Sequence, residues 1–147
     1  MGVTQPRKLH GVISLVLATV ALAIAAVAIG SASLPHLLVY LVLVVTGGVT
    51  VVGVFCAKCP ARHKACAHVL PGMLTRLLPP RSAGPYQLWE NLVVAVVLAV
   101  IALVPQPWLW QQPWLAVPFW GIQVLAVLEI RRCVCPGCPN QRCPLAR

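Results

Sequence analysis

From Val12 to Ile29 the chain has no charged side chain, and similar apolar runs recur at about 36–55, 88–104 and 113–130. A segment of roughly 20 apolar residues, rising about 1.5 Å per residue as a helix, matches the hydrocarbon thickness of a bilayer. Lipid offers no partner to backbone N–H and C=O groups, so a run that crosses it must satisfy them internally, as a helix does. Composition agrees: 60% of residues are hydrophobic and 9% charged, against about a quarter charged in a soluble domain. In 147 residues there is room for four such helices and short connections. The expectation is an all-α integral membrane protein with a single domain. Four transmembrane helices would be joined by a Cys-rich loop, 56–87, and followed by a Cys-rich C-terminal tail, 131–147.

The basic residues orient this arrangement. Arg7 and Lys8, the five of the middle loop (Lys58, Arg62, Lys64, Arg76 and Arg81), and Arg131, Arg132, Arg142 and Arg147 account for all eleven Lys and Arg. Four crossings place every one on the same side, which the positive-inside rule makes cytoplasmic. The sequence thus predicts a cell-membrane protein with both termini, the loop and the tail in the cytoplasm. The formal charge of +9 follows from this topogenic pattern and from contact with anionic lipid, so a nucleic-acid partner is not expected. The first run resembles a signal peptide, with Gly30 to Ser33 as a cleavage site. It is longer than the usual signal core, however, and its removal would put the basic loop on the wrong side.

Within the spans, Ala18, Ala21, Ala25 and Ala28 fall three or four apart on one face, where small residues let helix backbones approach. Thr46, Thr50 and Gly53 form a second such face, expected to meet another helix. His36 and Tyr40 read as interfacial residues. The uncharged stretch PQPWLWQQPW, Pro105 to Trp114, reads with Trp120 as an aromatic belt at the interface opposite the basic loop. In that loop Pro60 suits the first turn of a short helix reaching about Leu70, and Pro71 and Gly72 read as its end. The run from Met73 to Leu78 then mixes apolar and basic residues, as an element on the membrane surface would.

All seven cysteines lie in two runs, CAKCPARHKACAH (Cys56 to His68) and CVCPGCPNQRC (Cys133 to Cys143). Each run follows directly on an apolar span, so both are predicted at the same membrane face. In a reducing compartment clustered cysteines bind metal or do redox work more often than they form structural disulfides. Cys56 and Cys59 form one C-x2-C pair and Cys135 and Cys138 another, a spacing that lets two thiolates reach one metal from a tight turn. The first run offers Cys56, Cys59, His63, Cys66 and His68. If the segment after Pro60 is helical, Cys59, His63 and Cys66 share a face and His68 points away. The second run offers Cys133, Cys135, Cys138 and Cys143, and Pro136 and Pro139 favour a looped peptide that can wrap an ion. Either each run closes its own site or the two pairs share one four-thiolate centre. Tetrahedral zinc and an iron–sulfur cluster both fit these ligands.

The only two acids, Glu90 and Glu129, lie near the cytoplasmic ends of spans. A carboxylate at that depth is a functional candidate. The plainer reading is an ion pair, Glu129 with Arg132 or either acid with a basic loop residue.

Nothing in the chain matches a phosphate-binding glycine loop or a serine-histidine-acid arrangement. The function expected is a scaffold or electron-transfer subunit of a membrane complex, built on a cytoplasmic cysteine-ligated centre. Its partners would be the lipid bilayer and other subunits or further copies of the chain. Two other functions use the same residues. Soft-metal transport is one: small mercury-uptake membrane proteins are similar in size, helix number and use of cysteine pairs, although here the first span has no cysteine. Thiol–disulfide exchange is the other, and four-helix quinone-linked oxidoreductases resemble this chain in placing a C-x2-C pair near a helix end, but facing outward.

Overall fold

A computed structural model describes residues 5–60, 66–79, 81, 85–136, 138, 140 and 143. His63 lies outside the described residues, as do the arginines at 62, 142 and 147. The described chain is helical, in the order α1 (Gln5–Gly30), α2 (Leu34–Val54), α3 (Val69–Leu74), α4 (Leu88–Leu103), α5 (Gln106–Gln111) and α6 (Pro113–Glu129), with no strand among the described residues. Four helical stretches, Pro6–Gly30, Leu34–Lys58, Leu88–Gln111 and Pro113–Val134, are long and apolar enough to cross a membrane.

Helix α1 starts two turns before Val12, with Pro6 in its first turn, where a missing N–H costs nothing. This puts Arg7, Lys8 and His10 on the helix itself. The Ser31–Ala32 turn is closed by the Ala32 and Ser33 N–H groups donating to the Ile29 carbonyl. Pro35 then opens α2, and the chain returns alongside α1. Helix α1 packs most extensively on α6 and also on α2, while α4 packs on α2. Helix α5 occupies the tryptophan stretch and rests on α6 and α1.

The alanine face of α1 forms the centre of this packing. Ala21, Ala25 and Ala28 are buried with Ile29, Leu109, Leu115 and Phe119 in one cluster that also takes in Tyr40. With no hydrophobic drive between helices in lipid, such close contact is what would hold them.

The face of α2 that meets α4 is not the threonine face. Thr46 is exposed, and Thr46 and Thr50 donate to carbonyls of their own helix, at Val42 and Thr46 respectively. The hydroxyls are thereby satisfied without a neighbour. Packing runs instead through Tyr40 and Gly47. A Cβ on Gly47 would lie 2.7 Å from Ile101 Cδ1 and 2.9 Å from Val97 Cγ1, so glycine is what lets α4 approach. Tyr40 is buried, and its hydroxyl donates to the Ile101 carbonyl at 3.3 Å.

The loop also departs from expectation. Cys66, Ala67 and His68 are not helical, so a single helix does not reach from Pro60 to Leu70, and the expected helical face of Cys59, His63 and Cys66 falls partly outside the described residues. The reason is Pro71. Read as a helix stop, it is instead in the first turn of α3, where its lack of an N–H is harmless, and His68 is the N-terminal cap.

Candidate metal centre

Past Val54, helix α2 tightens into a 3-10 turn, Cys56–Lys58, and Cys59 leaves it extended. The Cys59 N–H donates to the Cys56 carbonyl at 3.1 Å, closing the first C-x2-C turn. The second pair is closed in the same way, by the Cys138 N–H on the Cys135 carbonyl at 3.0 Å. Both pairs therefore have the tight backbone turn that C-x2-C metal ligands use. None of the seven cysteines is joined to another by a disulfide.

The two runs meet. Cys56 lies in the electrostatic field of Cys66, Cys59 and Cys143. Burial pushes the Cys66 thiol up, and so do Cys59 and Cys138, against the lowering effect of the His68 backbone and of Arg7. Cys135 is raised by burial and then by Cys143 and Cys138, with Arg131 and Arg7 acting the other way. Six thiols from the two runs thus lie near enough at one end of the helices to disfavour one another's ionised forms, although no three of the seven sulfurs, all among the described residues, lie within 4.8 Å of one another. Asn140 joins the runs by direct contact. Buried to 4% exposure, its amide donates to Cys59 Sγ at 3.5 Å and to the Tyr86 hydroxyl at 3.1 Å. Tyr86 stacks on Phe55 and donates to its carbonyl at 3.2 Å, which fixes the end of the loop against the end of α2. Burial, with Cys59 next, pushes the Tyr86 hydroxyl up, so it stays a neutral donor.

His68 is turned toward α1, with Nε2 3.2 Å from Ser14 Oγ. Burial and then Arg7 push its imidazole down, leaving it neutral at pH 7. The segment that carries it is seated directly on α1. A Cβ on Gly11 would lie 2.3 Å from the Ala67 carbonyl oxygen, so only glycine fits there. Arg7 secures the tail to the same helix through Nε on the Val134 carbonyl, 2.9 Å.

The acids have separate surroundings. Glu90, at 1% exposure, receives Lys58 Nζ at 2.7 Å, Arg81 at 3.3 Å and the Gln87 N–H at 2.8 Å. Glu90 thus caps α4 and holds Lys58, which lies between Cys56 and Cys59. Glu129 meets His10 of α1, Oε1 to Nδ1 at 2.6 Å, where Arg132 was the partner expected along its own helix. Helix α6 runs on through a π-helical turn, Ile130–Val134, so Cys133 sits at a helix end and not in a wrapping loop. Among the described residues, the one group of three or more potential ligands whose ligand atoms all lie within 4.8 Å of one another is His10, Glu129 and Cys133.

Sequence reasoning missed His10, Asn140 and Arg7 as neighbours of the cysteines. Asn140 had only a weak signal, one of two amides, with Gln141, between Cys138 and Cys143. Comparison with protein-family models, with curated proteins and with solved structures finds no match.

Proposed function

We propose that the chain is a four-helix integral membrane protein of the cell membrane with a cytoplasmic cysteine-ligated metal centre. It serves as a scaffold or electron-transfer subunit of a membrane complex. The observation that carries this reading is the convergence of the two cysteine runs, linked by Asn140 on Cys59 and by the mutual fields of Cys56, Cys66, Cys138 and Cys143. One four-thiolate centre shared by the two pairs, Cys56 with Cys59 and Cys135 with Cys138, accounts for both C-x2-C turns. The ligand set is zinc's or an iron–sulfur cluster's. With His68 Nε2 engaged by Ser14, the cysteines are the ligands proposed.

Membrane insertion is supported by the four apolar helices and by aliphatic side chains that face outward, among them Val42, Val45, Val96, Val117 and Leu125, each more than half exposed. Trp110 and Trp114, both exposed, suit an interfacial belt at the end away from the cysteines. The basic residues put the cysteine end in the cytoplasm.

Metal content and an absorption spectrum of protein purified anaerobically in mild detergent test the proposal. Zinc without visible absorption makes the centre structural, tying tail to loop. Iron with acid-labile sulfide and a brown colour makes the chain an electron-transfer subunit. Metal-free protein with seven titratable thiols refutes the centre. An impermeant thiol reagent on intact cells tests the side: labelling before lysis would refute the cytoplasmic assignment.

A further inference from the structure

A second group of ligands, sharing no residue with the C-x2-C pairs, lies where α1, α6 and the π-helical turn meet. His10 comes from α1, Glu129 from the last residue of α6, and Cys133 from the turn beyond it. Glu129 and Cys133 are four residues apart, about one helical turn, so both side chains emerge on the same side. The α1–α6 packing brings His10 to them from 119 residues away. The three ligand atoms lie within 4.8 Å of one another, and each side chain is partly exposed, so water reaches the site.

From this geometry we infer that His10, Glu129 and Cys133 form a binding site for a borderline divalent transition ion of the zinc class, separate from the thiolate centre. Three protein ligands of nitrogen, oxygen and sulfur type leave one tetrahedral position for water, the arrangement of open zinc sites. The ligand types exclude the hard cations, which take oxygen donors. A thiolate and a carboxylate balance a divalent charge while a neutral imidazole adds none, so the loaded site is neutral. That suits the edge of an apolar helix bundle crowded with arginines. Entry of the ion replaces the direct His10–Glu129 contact of 2.6 Å by bonds of about 2.0–2.2 Å from each to the metal. The two side chains separate by about 0.8 Å to reach a tetrahedral spacing, within reach of rotamer adjustment.

The test uses the full chain in mild detergent, stripped of metal and titrated anaerobically with Co2+ as the spectroscopic probe. Wild type is expected to bind one equivalent more than Glu129→Gln. In that variant the amide still bonds His10, so the helix packing is preserved, and circular dichroism verifies it. His10→Gln is expected to lose the same equivalent, with at least a ten-fold weaker residual affinity. Cys135→Ser is expected to leave this equivalent in place whatever it does to the thiolate centre, which keeps the two sites distinguishable. Unchanged stoichiometry and affinity in both Glu129→Gln and His10→Gln would overturn the inference and leave a structural hydrogen-bonded pair.

Discussion

Replacing Glu90 by glutamine takes a single charge from a place where two cations and a backbone N–H converge on it. An exposed ion pair is worth about 0–1 kcal/mol, whereas removing one partner of a buried pair costs about 3–5 kcal/mol because the other is left uncompensated. Glu90 is 1% exposed and Lys58 10%, which puts this pair in the buried class. Lys58 keeps some compensation, since its ammonium also donates to the Pro85 carbonyl at 2.9 Å and sits 5.8 Å from the Tyr86 ring. Arg81, at 38% exposure, can turn to water. These retained contacts lower the expected cost to about 2–3 kcal/mol. Because Lys58 lies inside the first C-x2-C turn, the same substitution loosens Cys56 and Cys59 without touching a ligand. Groups that orient ligands typically change metal affinity by about 10–100-fold. Thermal unfolding in detergent should show a midpoint several degrees lower, and Co2+ competition against a chelator should show weaker binding. Arg132→Gln, on an exposed side chain, is the control expected to change neither. A Glu90→Gln protein with unaltered midpoint and affinity would refute the reasoning that this buried pair holds the turn.

Three further outcomes follow from the packing and the electrostatics. Gly11→Ala sets a Cβ against the Ala67 backbone, which cannot rotate away, so the Cys66–His68 segment must lift. Metal affinity should fall, and Cys66 should alkylate faster in the apoprotein than in wild type. Gly47→Ala meets only side-chain ends of Val97 and Ile101 and should cost about 1–3 kcal/mol by overpacking, while Gly48→Ala, which meets open space, should be silent in the same melt. Metal affinity should keep rising with pH beyond neutrality: Cys66 and Cys135 are raised above the ordinary thiol value, and the bound form needs the thiolate, so each pH step removes protons that compete with the ion. A pH-independent affinity between pH 6 and 9 would contradict that.

The helices could be read from the sequence because apolar runs of this length have one solution in lipid, and the alanine face of α1 because its spacing is local. What escaped was long-range or ambiguous. Gly47 and Gly53 are equivalent as small residues, and only the position of α4 selects Gly47. Pro71 can end one helix or begin the next. At the cysteine end, both C-x2-C pairs were evident from spacing, but the contacts that join them were not. Asn140 reaches Cys59 across 81 residues, and His10 reaches Glu129 across 119, distances over which no periodicity carries information. His10 also sits beside Arg7 and Lys8, whose topogenic role drew the reading of that segment.

The shared thiolate centre is tested most directly by metal content in two single variants, Cys56→Ser from the first run and Cys138→Ser from the second. A centre built from both runs predicts that each substitution alone removes or displaces the same metal equivalent, with the same change in the Co2+ charge-transfer band. If each variant keeps the equivalent that the other loses, the runs close separate sites. If neither loses any, the cysteines do not hold a metal.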